Sequence, residues 1–94
     1  MTPAEARLIL TKPADIRKRG VVWTMTAVDG RRFNAGSNGD LVWASQSPET
    51  FGFANARACV RRFYGDNAKL QRPYVTSYLD KREAELQAIA DEDN

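Results

Sequence analysis

Residues 21–64, VVWTMTAVDGRRFNAGSNGDLVWASQSPETFGFANARACVRRFY, decide the fold. Residues 21–28 are rich in β-branched and aromatic side chains, residues 31–36 form a second short run, and residues 41–45 a third. Such runs favour strands. Asp29-Gly30 and Asn38-Gly39 separate them, and either dipeptide suits a two-residue hairpin turn or a three-residue loop closed by a left-handed Gly. Two-residue loops would set Phe33 opposite Thr26 and place Trp23 and Met25 on one face with Arg32 and Asn34. Three-residue loops instead bring Met25 opposite Phe33, Phe33 opposite Trp43, and Trp23 and Leu41 both opposite Ala35. Register follows the pairing that buries one coherent face, so the three-residue loops are expected. Val22, Thr24, Thr26, Arg32, Asn34, Val42 and Ala44 then occupy the other face.

The apolar face needs a cover. Phe53, Ala56, Val60 and Phe63 recur at helical spacing with Cys59 and Tyr64 at the margin, and Gly65 stands where a left-handed C-cap would stop the helix. The expected class is α+β: a three-stranded antiparallel meander with one face covered by a helix. A C-terminal helix and a short N-terminal element complete it.

Arg32-Phe33, the run Asn38-Gly39-Asp40-Leu41-Val42-Trp43-Ala44-Ser45, Phe51, and an Ala-rich helix ending in Val60 and Phe63 resemble the YegP-like domain of unknown function. Members of that family carry an arginine-aromatic strand, an Asn-Gly turn, a following strand, an aromatic residue and a helix. The resemblance covers about the middle half of the chain. It implies a three-stranded antiparallel sheet with one helix, frequently paired with a second copy, and it implies no activity.

Toward the N-terminus, Thr2-Pro3-Ala4-Glu5 has the form of a capping box with Pro at the first helical position. Leu8, Ile9, Leu10 and Thr11 suit a sheet as well as a helix, so residues 7–12 are open to both, and a strand there would make the sheet four-stranded. Pro13 ends either element. Residues 14–20, with Arg17, Lys18 and Arg19, read as a solvated turn leading into the first strand or as a basic knob that touches phosphates. After a polar loop at residues 66–72, Pro73 can open a helix over about residues 73–90 with a stripe of Val75, Tyr78, Leu79, Leu86 and Ile89. Asp91, Glu92 and Asp93 put negative charge at the negative end of that helix, so residues 91–94 should fray.

Ninety-four residues suffice for one domain, residues 1–94, with a single modest core. No apolar run is long enough to span a bilayer and no signal-peptide pattern opens the chain, so a cytoplasmic location is expected. The chain has no His and one Cys, which excludes Ser-His and Cys-His nucleophile pairs and zinc sites of the usual ligand type within one chain. Asp15, Asp29 and Asp40 fall where turns are expected, and residues 36–39 lack the Lys and the following helix of a phosphate loop. No enzyme, cofactor or metal is implied.

What remains is basic. Arg57 and Arg61 form an i,i+4 line with Arg62 beside it, suited either to phosphate recognition or to a solvated face whose stems cover apolar surface. Arg57, Arg61, Arg62, Arg17, Lys18 and Arg19 are therefore the candidate partner- or phosphate-binding residues. Two function classes survive. The first is a non-enzymatic protein-interaction or regulatory module, of the kind a phage might encode to act on a host protein. The second is a nonspecific nucleic-acid binder that uses the basic helix face. The acidic C-terminal segment favours the first, since every carboxylate near a phosphate-binding face weakens it. An exposed sheet edge, with the pairing habit of the resembled family, leads to the expectation of a homodimer.

Overall fold

A computed structural model describes residues 1–35, 38–67 and 72–92. The first element is a helix, α1 (Pro3–Thr11), which settles the N-terminal alternative. The Thr2 hydroxyl accepts the Glu5 backbone N–H at 3.1 Å and the Glu5 carboxylate accepts the Thr2 N–H at 3.2 Å, satisfying two donors that the first turn would leave without partners. Ala6 and Ile9 are buried while Leu8 is half-exposed, the spacing of a helix face rather than the alternation of a strand.

The sheet is an antiparallel meander of β1 (Ile16–Arg19), β2 (Val22–Thr26) and β3 (Arg32–Ala35), in the order β1-β2-β3. Its second hairpin has the expected register, with Trp23 opposite Ala35 and Met25 opposite Phe33. The Ala27 N–H donates to the Arg31 carbonyl at 2.8 Å, and the enclosed residues 28–30 form a three-residue loop closed by Gly30 at φ 91°. No side chain is comfortable at that angle, so the Gly sets the register.

β1 corrects the solvated turn expected at residues 14–20. Arg19 pairs with Val22 around Gly20-Val21, and Gly20 alone has positive φ in that turn, the pattern of a type II′ hairpin. The strand lies at the sheet edge, where charged side chains are compatible with pairing and discourage association with another edge. Ile16 packs against the sheet's core, and Lys18 lies over Trp23.

The third strand expected at residues 41–45 is a helix, α2 (Asn38–Ser45). Leu41, Ala44 and Ser45 are buried at i, i+3 and i+4, while Trp43 is 60% exposed. A strand would have buried Trp43 together with Leu41. Short apolar runs fit both periodicities, and here the choice is made by tertiary packing. Phe33 consequently meets Phe51 edge-on, with ring centroids 5.1 Å apart, instead of pairing with Trp43. Gly39 lies in the first turn of α2 rather than closing a hairpin, Ala44 is buried rather than on the outer sheet face, and Gly36 falls outside the described residues.

A single turn, α3 (Pro48–Phe51), joins α4 (Phe53–Tyr64) at Gly52, whose φ 90° and ψ 154° belong to a region essentially reserved for glycine. The kink sends Phe51 and Phe53 into different cores. Met25, Leu41, Ala44, Phe51 and Cys59, flanked by Trp23, Phe33 and Phe63, fill the space between the sheet and α2–α4. Ala6, Ile9, Phe53, Ala56 and Val60 join Val75, Leu79, Leu86 and Ala90 of the C-terminal helix, α5 (Pro73–Asp91), in a second, all-helical core. α4 is thus a shared wall: Cys59 and Phe63 face the sheet, whereas Phe53, Ala56 and Val60, expected to cover it, face α1 and α5. Gly65 stops α4 with φ 66°. α5 occupies the expected range, although Tyr78 is 43% exposed rather than part of the buried stripe. At its C-terminal end the α5 Ala90 carbonyl accepts a 3.0 Å hydrogen bond from the Arg7 guanidinium, which places positive charge at the negative end of the helix dipole.

Candidate functional site

The face of the sheet turned away from α4 carries the chemistry. In β-strands alternate residues share a face, and the register aligns Arg17 with Thr24 and Asn34, Thr26 with Arg32, and Arg19 with Val22. Arg17, Arg19 and Arg32 thereby converge around Thr24, Thr26 and Asn34 in a concavity of about 390 Å³, with Asp15 at one end. Long basic side chains stand on the two edge strands. Short polar ones form the floor, where the Thr24 hydroxyl donates to Asn34 Oδ1 at 3.3 Å.

Asp15 accepts from Arg17 Nε at 3.1 Å; the Thr26 side chain, with a further contribution from Arg17, holds the Asp15 carboxyl below the usual carboxylate range. Arg19 and Arg32 have no ion-pair partner among the described residues. From Asp15 to Ala35 the chain has five basic and two acidic residues, a net +3 against +2 for the whole chain. Positive charge is therefore concentrated on this element, and much of it is uncompensated.

The helical arginines have separate destinations. Arg57 donates from Nη2 to Glu83 at 2.6 Å and to Asp80 at 2.9 Å, tying α4 to α5. Burial pulls that guanidinium down, but hydrogen bonds to Glu83 and Asp80 outweigh it and leave the group above its ordinary value. Arg61 is exposed beside a separate hollow near Gly65, Asp66 and Thr76. Arg62 stacks on Trp23 with its guanidinium carbon 4.5 Å from the ring centroid, and Lys18 Nζ lies 5.3 Å from the same ring. Both are cation–π contacts. Of the six candidate residues, the structure brings Arg17 and Arg19 together in the concavity and leaves Arg57, Arg61, Arg62 and Lys18 elsewhere. Arg32, which completes the trio, was placed on this face by the register but not singled out as a binding residue.

Other surfaces offer less chemistry. Cys59 is buried with Sγ 3.7 Å from the Met25 sulfur, and burial pushes its thiol up to about 11, the setting of an inert core thiol. Among the described residues no group of His, Cys, Asp or Glu is placed to hold a metal ion, and no helix is long and apolar enough to cross a membrane. Trp43 and Tyr74 are 60% and 67% exposed, and Tyr74 with Tyr78 and Gln46 lines an open groove.

Asn55 escaped the sequence reading altogether. It is buried, accepts the Asp15 N–H at 2.6 Å and donates to the carbonyls of Phe51 at 2.6 Å and Thr26 at 3.4 Å. It therefore fixes where β1 begins and where β2 ends, and with them the concavity's Asp15 end. Compared with family models, curated proteins and solved structures, the chain finds no match.

Proposed function

We propose that this chain is a small non-catalytic module that binds polyanions, nucleic acid foremost, on the outer face of its sheet. The observation that carries this reading is the convergence of Arg17, Arg19 and Arg32 on one polar concavity, with Arg19 and Arg32 not neutralised by described carboxylates. Arginine suits phosphate because its planar fork donates two parallel hydrogen bonds and stays charged at any physiological pH.

The acidic C-terminal segment repels a polyanion only where it lies close to the binding face. That helix packs along α1 and α4, and α4 lies between it and the sheet. One helix layer is about 8–10 Å deep, comparable to the Debye length of about 8 Å at physiological ionic strength. Asp80 and Glu83 are also engaged by Arg57, and Glu49 and Glu85 by Arg82. The repulsion is therefore weak at the concavity.

The test is fluorescence anisotropy of a labelled DNA duplex across a salt series. Affinity should fall linearly in the logarithm of salt, and the Arg17→Ala/Arg19→Ala/Arg32→Ala variant should flatten the slope by about 2.7, at about 0.9 per lost phosphate contact. An unchanged slope in a folded triple variant would overturn the reading. A second reading, the homodimer, is favoured by the exposed aromatic rings of Trp43, Tyr74 and Tyr78, which offer a better self-association surface than the charged β1 edge. Sedimentation of wild type and Trp43→Glu at high micromolar concentration tests it. A dimer lost in the variant supports it, and a monomer in both excludes it.

A further inference from the structure

We infer that the concavity is a trough for one phosphodiester strand of a B-form DNA duplex, lying along β2 and recognised without regard to base sequence. This deepens the polyanion reading and rests on it.

The shape of the concavity fits such a strand. β1 and β3 are each one strand spacing of about 4.8 Å from β2, so their arginines rise as two walls about 10 Å apart at the backbone over a floor of shorter side chains. Walls higher than the floor seat a ridge; they do not penetrate a groove. The ridge a duplex presents is its sugar-phosphate backbone.

The spacing of its arginines fits as well. Arg17 and Arg19 are two residues apart on one strand, hence about 6.8 Å apart along it. That repeat is close to the separation of successive phosphates on one strand of B-form DNA and longer than in A-form RNA. Arg32 reaches in from the opposite wall.

The lining chemistry agrees. The arginines offer only donors, and Asn34, whose Oδ1 accepts the Thr24 hydroxyl, adds its amide N–H groups, as phosphate oxygens require. The Thr26 hydroxyl and Arg17 occupy the Asp15 carboxylate at the end of the trough. Among the described residues no aromatic ring stands on this face. Trp23 lies against Lys18 and Arg62, and Phe33 against Phe51, so unpaired bases find nothing to stack on. Proteins that hold single strands or splayed RNA depend on such rings. A duplex, whose bases already stack on each other, loses nothing by their absence.

The experiment compares four labelled probes of equal length at low salt: two DNA duplexes of unrelated sequence, one single-stranded DNA and one RNA duplex. The two DNA duplexes should bind within about threefold of each other, and the single strand and the RNA duplex at least about tenfold more weakly. Thr24→Val, which keeps the β-branched shape and removes the hydroxyl that holds Asn34 with its amide N–H groups free, should weaken DNA binding a few-fold with an unchanged thermal melt. Replacing the linkages of both strands by neutral methylphosphonates should weaken binding by more than tenfold, whereas doing so on one strand alone should cost only about twofold, because the trough then seats on the other. Equal affinity for single-stranded DNA or RNA duplex, or more than tenfold preference between the two DNA sequences, would overturn the trough while leaving the polyanion reading intact. Absence of binding to every probe would overturn both.

Discussion

Asn55 provides the sharpest test of how the fold holds its working face. Asn55→Leu keeps a side chain of similar size in a site that is 1% exposed, but it removes every polar atom. The Asp15 N–H and the Phe51 carbonyl each lose a 2.6 Å partner, and the Thr26 carbonyl loses a longer one. Leaving a buried donor or acceptor unsatisfied costs about 1–3 kcal/mol, so two strong losses amount to about 2–6 kcal/mol before a modest gain from apolar burial. A chain of this size has a total stability of about 5–14 kcal/mol, so the variant should be folded but much weakened. Urea unfolding followed by circular dichroism should show a lower midpoint at unchanged slope, and the melting temperature should fall by about 10–25 °C. Asn55→Asp should do no better, because a carboxylate cannot donate to the two carbonyls. A variant within about 0.5 kcal/mol of wild type would refute the assignment of Asn55 as the tie between β1, β2 and α3.

Trp43→Ala should cost only about 0.5–1.5 kcal/mol, because an exposed ring with one edge-on contact to Phe51, at 6.1 Å between centroids, contributes little; a loss above 3 kcal/mol would restore a core role. Gly52→Ala should be more damaging than Gly30→Ala: both have positive φ, but Gly52, at φ 90° and ψ 154°, is held in a filled site where Ile9, Lys12 and Val28 would meet its Cβ at contact distance and keep the backbone from relaxing, whereas Gly30 faces open space. Thermal melts of the pair decide it. Burial raises the Cys59 thiol from 9.0 to about 11, so between those values the unfolded chain releases the proton while the folded chain keeps it. Stability should therefore fall as pH rises through that window, more steeply than in Cys59→Ala, and parallel pH profiles would contradict this.

Where a local signal has a single physical solution, the sequence reading matches the structure. Thr2 and Glu5 cap a helix because nothing else satisfies that reciprocal geometry, and Gly30 fixes the β2–β3 register because the alternative splits Met25 from Phe33. At residues 41–45 an apolar run of five fits either period, and the contact that replaces the expected strand pairing, Phe51 against Phe33, lies outside it. β1 was missed because its composition is that of a turn, and only pairing with β2 makes it a strand. The same omission hid the site, since Arg17 and Arg19 join Arg32 only once β1 is in the sheet. Conversely, Arg57, Arg61 and Arg62 share a neighbourhood on α4 but are drawn apart by partners on α5 and β2, which helical periodicity does not encode. Asn55 carries no sequence signal at all, as its role exists only where three segments meet.

The central claim, that the outer sheet face is the binding surface, is tested most directly by amide chemical shifts of labelled protein titrated with a short DNA duplex at about 50 mM salt, where phosphate contacts are strongest. The amides of Arg17, Arg19, Thr24, Thr26, Arg32 and Asn34 should move together and saturate on one curve, with α5 unaffected. Shifts centred on Trp43, Tyr74 and Tyr78, or no shifts at millimolar DNA, would contradict it.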